Sequence, residues 1–451
     1  MDLVEGALGA TGSAPRLRAT LPRRPPTDLV PVPSIRSAMW TGLAGSALIA
    51  CAAMDGGALL RPVGGGWPVP LPRVPGGPGV LPVLLAHFGG LVLLARAWLA
   101  LRRARPTAAT TMVVAALWAV PLILGPPIGS RDAYSYVAQG QIAAAGLDPY
   151  VDTAADLPPG PVRGAVDPLW RETPTPYGPI FVRLSEVVAS LPGPQPFVGV
   201  LGVRVLAVAG LGLLAWGVPV LARALGRDGD DALVLVLANP LTLLHLVGGA
   251  HNEALLAGLL VAGFAAAATG RRWTGIALTT LGAAVKLPAL AGAVVLAWGA
   301  PAGTSWWRRA PAVAAAAAVA CGVLVACSWA TGLGTGWVQS AGANGEAVSW
   351  AAPSSWLGAV LGQGAGRVLA LGVAGVLAAR VLAGARPADA AAAGQVLVVA
   401  ALLGPALHPW YLLWGLPLVA AACGGGRCRL LAGASIAAAL AGHPGGGVWF
   451  R

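Results

Sequence analysis

Four short segments of the 451-residue chain hold side chains able to move protons or neutralise anions. In SRDAYSYVAQGQ, Asp132 opens a stretch with helical spacing. A carboxylate there can take a proton from a hydroxyl as that oxygen attacks. The plainer reading is a first-turn acid that stabilises the helix dipole by about 0.3–1 kcal/mol. Lys286, in VKLPAL, is the only lysine beside 28 arginines. It reads either as a snorkelling side chain or as a buried cation facing a phosphate leaving group, where charge develops in the transition state. GGAHNE supplies His251, Asn252 and Glu253, and LHPWYLLW supplies His408, Pro409, Trp410 and Tyr411. The two histidines suit proton transfer or anion binding, or simply bond to backbone carbonyls. Arg131, Arg163 and Arg171 suit a phosphate too, or pair with neighbouring acids at little gain in stability.

The elements that must position these groups follow from composition. Hydrophobic residues make up 57% of the chain and charged residues 10%, with a mean hydropathy of +0.74. Soluble domains carry about 25% charged residues, so the aqueous globular classes drop out. Gly (64) and Pro (39) are abundant without a G-X-Y period, which excludes collagen. The expectation is an all-α integral membrane protein with about 13 transmembrane or re-entrant segments. The apolar runs cover approximately 38–54, 80–101, 107–125, 197–222, 232–248, 254–269, 274–285, 287–300, 311–330, 356–379, 391–407, 411–423 and 430–442.

A net charge of +12 would suggest nucleic acid in a soluble protein. Here it reads as orientation, and no nucleic-acid partner is expected. With the Pro/Arg-rich tail (1–37) inside, Arg102, Arg103 and Arg105 fall inside. So do Arg223 with Arg227, Arg271 with Arg272, Arg308 with Arg309, Arg380 with Arg386, and Arg427 with Arg429. This phase follows the positive-inside rule and predicts a cytoplasmic N-terminus and an external C-terminus. The first apolar run follows the tail and reads as a retained span rather than a signal peptide. Residues 274–285 and 287–300 must go out and back between two basic turns. Twelve residues rise about 18 Å, short of a core of about 30 Å, so this hairpin reaches a cavity with Lys286 at its apex. A lysine at that depth needs an anionic partner or water.

One polar segment, 126–196, stands apart on the predicted outer side. It holds seven of the 17 acids (Asp132, Asp148, Asp152, Asp156, Asp167, Glu172, Glu186) and four of the five tyrosines (Tyr134, Tyr136, Tyr150, Tyr177). Loops of this length are usually functional. Two helices are predicted within it. One runs from Asp132 to Ala145 with Ser130 as cap and Gly146 as stop, and the other from Ile180 to Ser190 along the interface. The turns Gly248–Glu253, Gly332–Ser355 and His408–Tyr411 meet this loop on the same face. No H-x-x-H or D-x-D spacing marks a metal site. A divalent cation remains an alternative from ligand type alone. Cys51, Cys321 and Cys327 read as small buried residues. Cys423 and Cys428 flank a basic turn without metal partners, and no disulfide framework is expected. Most tryptophans, such as Trp98, Trp273, Trp306 and Trp307, sit at span ends as interfacial anchors. Trp170, Trp350, Trp356 and Trp410 lie on the outer face, where they either stack on sugar rings or belong to the aromatic belt.

SRDAYSYVAQGQIAAAGLDPY, VDPLWRETPTPYGPIF, NPLTLLHLVGGAHNEALLAGLLVAG, VKLPAL and HPWYLLW follow one another in order. From about 38 to 442 the chain resembles the actinobacterial polyprenol-phosphate-mannose-dependent alpha-1,6-mannosyltransferases of the MptB type, in the GT-C superfamily. The resemblance implies a GT-C-like helical domain over 38–451 with an outer catalytic loop at 126–196. It implies an inverting transfer of mannose from polyprenyl-phosphate-mannose to the 6-hydroxyl of an alpha-1,6-mannan, the core of lipomannan-type lipoglycans, at the outer face of the plasma membrane. No resident cofactor is expected. Such enzymes are similar in using a carboxylate of the first large outer loop as base, a position Asp132 occupies. Paired acids are frequent there, whereas Arg131 precedes Asp132 here, so Asp167 and Glu172 stay alternatives. Chemistry and position then assign Lys286, with Arg171 or His251, to the departing phosphate. Tyr134, Tyr177, Trp170, Asn252 and His408 are assigned to sugar or acceptor. A lipid-linked sugar transporter or flippase would instead put broken helices at the midplane of two repeats. A non-catalytic assembly subunit, or a GT-C enzyme for another lipid-linked sugar such as arabinose, completes the set of readings.

Overall fold

Runs of Ala, Leu and Val separated by Gly, Pro and Arg give a helical chain. The computed structural model describes residues 34–56, 67–69, 72, 80–193, 195–301, 303–340 and 351–442, and no strand occurs among them. Residues 1–33 of the expected tail lie outside the described residues, and helix α1 (Ile35–Gly56) already takes in its last positions. Part of the 332–355 turn, with Trp350, and the C-terminal 443–451 lie outside them as well.

Next come α2 (Val80–Ala104) and α3 (Ala108–Leu124). The polar loop contains α4 (Asp132–Ala144) and α5 (Pro179–Ala189). The two loop helices therefore form where the spacing predicts them. The Ser130 hydroxyl accepts the Asp132 N–H at 3.0 Å, and Gly146 ends the first helix at a φ of 76°. A long span, α6 (Phe197–Ala224), is followed by α7 (Gly229–Val236) and a bent continuation through 240–248 whose last turns are a π-helix. Then come α8 (Glu253–Ala268), the short hairpin α9 (Arg272–Ala283) and α10 (Leu290–Trp298), and the long α11 (Trp306–Thr331). The chain closes with α12 (Pro353–Leu361), α13 (Gln363–Ala383), α14 (Ala390–Leu403), a 3-10 segment at Pro409–Trp414, α15 (Leu416–Ala422) and α16 (Gly426–Leu440).

Among the described residues five helices are long and apolar enough to cross a membrane, or six if the 45° bent pair counts as one span. The thirteen transmembrane or re-entrant segments expected are not confirmed as such. Apolar composition alone does not separate a span from a short helix buried by its neighbours. The run 254–269 is a 16-residue helix, and 411–423 is a 3-10 turn joined to a seven-residue helix. The run 356–379 is two helices, because Gly362 takes a φ of 88° that only glycine adopts freely. Three further expectations change. Trp98 is fully buried, with its indole N–H on the Val234 carbonyl at 2.7 Å, so it is a core residue and no belt anchor. Cys321 is exposed and Cys51 half-buried, so only Cys327 is a buried small residue. Cys423 and Cys428 are joined by a disulfide, a bond that persists outside reducing compartments and counts against a cytoplasmic side for that turn.

Two contacts fix the loop on the helices. The Gly178 N–H donates to Val285 O at 3.0 Å and the Ile180 N–H to Ala284 O at 3.1 Å, which docks the TPYGP turn onto the hairpin apex. A Cβ at Gly178 would stand 2.2 Å from the Ala284 oxygen, so the approach requires glycine. Arg204 of α6 is buried with four backbone acceptors. Its Nη1 donates to Ile123 O (2.5 Å) and Gly125 O (2.7 Å), its Nη2 to Gly248 O (3.1 Å) and its Nε to Val247 O (3.4 Å). One guanidinium thus ties the end of α3, which leads to Asp132, to the π-helical turn that leads to His251. Arg204→Leu removes the guanidinium donor from all four carbonyls, of which Gly248 O keeps the Ile128 N–H, and should cost about 3 kcal/mol. Thermal unfolding in detergent should show a lower midpoint for Arg204→Leu than for Arg204→Lys, and both below wild type. Equal midpoints would mean that the arginine is no clamp.

Candidate active site

Asp132 sits in the first turn of α4, His251 in the turn before α8, Glu253 at the first position of α8, and Lys286 at the hairpin apex. Their side chains form one line of charge. The His251 Nδ1 is 3.3 Å from Asp132 Oδ2 and 3.9 Å from Glu253 Oε2. The Lys286 Nζ is 2.5 Å from Glu253 Oε1. Side-chain exposure is 17% at Asp132, 0% at His251 and Glu253 and 8% at Lys286. Asp132 is therefore the more exposed end of the line and Lys286 the less exposed one.

Burial works against ionisation of Asp132. The close approach and charge of His251, the Ser130 hydroxyl and the charge of His408 outweigh it and hold the carboxyl at about 2. Asp132 is thus a carboxylate at any physiological pH.

Aromatic rings wall this line. The Lys286 ammonium lies 4.6 Å from the centre of the Tyr411 ring, 5.4 Å from Tyr177 and 5.7 Å from Trp414. His251 stacks on Trp410 at 4.1 Å, and His408 stacks on Trp410 at 4.5 Å. Tyr136 meets Tyr177 edge-on at 5.3 Å. An anion entering here meets ammonium and imidazole donors. A sugar ring meets flat aromatic faces. A hydroxyl near Asp132 meets an ionised acceptor.

The structure brings together Asp132, Lys286, His251, Tyr177 and His408 from the sequence-selected set. Asn252 caps the start of α8, and its side-chain amide is buried without a partner. Tyr134 is fully buried in the loop's own apolar core with an unpaired hydroxyl, and its charged neighbours are Arg131 and Arg204. Trp170 is half-buried against that same core. Arg171 donates to the Val166 carbonyl at 3.3 Å, a hydrogen bond that stays inside the loop. Of the alternative acids, Asp167 caps a turn by accepting the Leu169 N–H at 3.0 Å, and Glu172 is exposed.

Sequence reasoning did not select Glu253, Tyr136, Tyr411 or Trp414 for the site. Glu253 carried a usable signal: it is the single charge in the otherwise apolar run of α8, and an ionisable residue in such a helix is functional by default. The rings carried none, since their approach to Lys286 exists only in three dimensions. The anionic partner that Lys286 requires is Glu253. Among the described residues no group of three or more His, Cys, Asp and Glu is arranged to hold a metal ion.

Removing one partner of a buried pair strands the other. Glu253→Gln and Lys286→Met should each destabilise the protein, and the double variant should regain at least about 2 kcal/mol of the summed loss. A melting-temperature cycle in detergent measures this. Strict additivity would show that the pair is not coupled.

The family model for the N-terminal domain of alpha-(1->6)-mannopyranosyltransferase matches residues 39–302, and the model for the MptB C-terminal domain matches residues 359–450. A Mycolicibacterium smegmatis protein named as a probable alpha-(1->6)-mannopyranosyltransferase is 34% identical over 88% of this chain and 80% of its own length. Alpha-(1->6)-mannopyranosyltransferase A of Mycobacterium tuberculosis is 32% identical over 75% and 70%. Alpha-(1->6)-mannopyranosyltransferase B of Corynebacterium glutamicum is 28% identical over 66% and 56%. No solved structure matches the chain. The matched N-terminal region contains Asp132, His251, Glu253 and Lys286, and the C-terminal one contains His408, Trp410 and Tyr411.

Proposed function

The chain belongs to the alpha-(1->6)-mannopyranosyltransferase family, and from that premise we propose that it moves mannose from polyprenyl-phosphate-mannose to the 6-hydroxyl of an alpha-1,6-mannan lipoglycan at the outer face of the plasma membrane. The observation that carries this reading is the ordered line Asp132–His251–Glu253–Lys286, with a base at its open end and a cation at its buried end.

In this reading the acceptor O6 attacks the anomeric carbon of a beta-linked mannosyl phosphate from the opposite face. The O6–C1 bond forms as the C1–O phosphate bond breaks, and the configuration inverts. The O6 proton passes to Asp132, and the bonding pair leaves on the phosphate oxygen, which gains one negative charge. His251 holds the Asp132 carboxylate in place. Lys286 has three N–H donors and Glu253 engages one, so two remain for phosphate oxygens. In a water-poor site such preset donors stabilise charge as it develops. Tyr177 and the Trp410 face shape the sugar site, with Asn252 and His408 at its edge. Trp170, Tyr134 and Arg171 support the loop. In this reading the protein sits in the bilayer with the 126–196 loop facing outward and the tail and the basic turns before it in sequence order toward the cytoplasm, while the disulfide between Cys423 and Cys428 counts against that side for the last basic turn.

The scheme uses no resident cofactor, and in it Lys286 supplies the positive charge beside Glu253. Asp132→Asn should reduce transfer from labelled polyprenyl-phosphate-mannose in membranes by about 10²–10⁴-fold at normal protein level. Transfer at the wild-type rate would remove Asp132 as base. Lys286→Ala should also lose most activity, and wild-type turnover in that variant would make the lysine structural. Dialysis against a chelator should leave the rate unchanged; a loss restored by a divalent ion would return the metal alternative.

A further inference from the structure

A second cluster of cations lies at the far end of the α9–α10 hairpin from Lys286, and the chemistry above does not use it. α9 begins at Arg272 and α10 ends at Trp298, while the apex holds Lys286. The two ends of α9 are separated by about 18 Å at the helical rise of ~1.5 Å per residue. Between the base of this hairpin and the start of α11 is a cavity of about 420 Å³, lined among others by Arg272, Arg308, Arg309, Trp298 and Thr304.

Every side-chain polar group lining this cavity offers a donor. Arg272 donates Nε to Leu296 O (3.1 Å) and Nη2 to Ala297 O (2.9 Å), which leaves Nη1 uncommitted. Arg309, itself buried, donates Nε to Thr304 O (3.2 Å) and Nη1 to Trp298 O (3.1 Å), which leaves Nη2 uncommitted. The Arg308 guanidinium is exposed at the rim. The Trp298 indole N–H is buried and has no acceptor. The Thr304 hydroxyl donates to Pro301 O at 2.8 Å. No carboxylate lines the cavity, so three guanidinium charges and an orphan N–H face it without a counter-charge. Backbone carbonyls hold two of the guanidiniums in fixed orientation, as a fork for phosphate oxygens requires.

The position of the mouth selects the ligand. Trp273, Trp306 and Trp307, at the starts of α9 and α11, are 50%, 67% and 61% exposed beside it. Exposed tryptophans at helix ends mark the headgroup level of a bilayer. Basic pockets between membrane helices at that level suit anionic lipid heads. We propose that this cavity binds the phosphate headgroup of an anionic phospholipid, at a site separate from the Asp132–Lys286 line. The phosphodiester accepts from Arg272, Arg308 and Arg309, with Trp298 supplying a neutral donor, and the acyl chains lie along the apolar face of α11.

The test uses the full-length protein, purified in detergent and supplied with phosphatidylglycerol, phosphatidylcholine or inorganic phosphate. Native mass spectrometry counts retained molecules per chain. Wild type should retain one phosphatidylglycerol that neither phosphatidylcholine nor inorganic phosphate displaces. Arg308→Gln, whose side chain is exposed and carries no buried bond, should weaken retention about fivefold, and Arg272→Gln/Arg308→Gln should weaken it further. Arg380→Gln, on α13, should behave as wild type. Equal retention by wild type and both cavity variants would overturn the site. Displacement by inorganic phosphate at comparable concentration would overturn the lipid assignment. Arg309 is left intact because its buried bonds to Thr304 and Trp298 make a folding failure the trivial outcome.

Discussion

The ion pair between Glu253 and Lys286 is the contact on which the site depends. Each group alone would be prohibitive where it lies, since an unpaired charge away from water costs several kcal/mol or more. Together, at 2.5 Å, they let a carboxylate open an apolar helix and a lysine stand at the apex of a short hairpin. The pair also joins segments distant in sequence: α8 continues from the turn that carries His251, and the apex of α9–α10 receives the docked loop. A net-neutral pair keeps both charged forms in place without committing the ammonium fully, and the rings of Tyr177, Tyr411 and Trp414 accept the remaining positive field.

Two devices hold the solvent-facing half against that pair. Backbone bonds from Gly178 and Ile180 to Val285 and Ala284 anchor the loop one and two residues before Lys286, which brings Tyr177 to the ammonium. The Arg204 guanidinium anchors the other approach, between the end of α3 and the turn before His251. Both work through backbone carbonyls, so they fix main-chain position without specifying a side chain at the receiving end. The Asp132–His251 contact is the product of these two anchors rather than their cause. Asp132 stands a few residues beyond one clamped end, and His251 stands three beyond the other.

Local chemistry accounts for what the sequence revealed. The limits of α4 were readable because caps and stops act over three or four residues, here Ser130 and Gly146, and α5 was readable from its spacing to within one residue at each end. The convergence of Asp132, His251, Lys286, Tyr177 and His408 was expected because their polar segments were all assigned to one side of the apolar runs, and the contacts among them bring these side chains together. The number of crossing helices was not readable, because the run 254–269 has the same composition whether lipid or protein surrounds it. Gly362 gave a local sign of the break between α12 and α13, but a lone glycine in an apolar run is common. The pairing of Glu253 with Lys286 was out of reach, since 33 residues separate them and only the fold decides which charges meet. Arg171 was chosen for its charge and neighbourhood, yet Val166 takes its hydrogen bond. A guanidinium in a tight loop finds backbone acceptors before it finds a distant ligand.

The difference in exposure between the two ends of the line constrains how two dissimilar substrates meet. Under the proposed reaction the acceptor is a hydrated sugar chain, and the donor phosphate arrives on a lipid at membrane depth. Asp132 retains contact with water, while His251 and Glu253 have none. In that reaction the acceptor hydroxyl would meet the base at the more exposed end, and the phosphate would meet the cation at the hairpin apex. His251 lies between them, stacked on Trp410. Under the proposed displacement the attacking oxygen and the leaving phosphate lie on opposite faces of the anomeric carbon, so Asp132 and Lys286 would serve the two faces of one bound sugar. A reversed arrangement, with the base buried and the cation open, would force the polar acceptor into the bilayer. Which end of the line is wet is therefore as much a part of the chemistry as the identity of the residues on it.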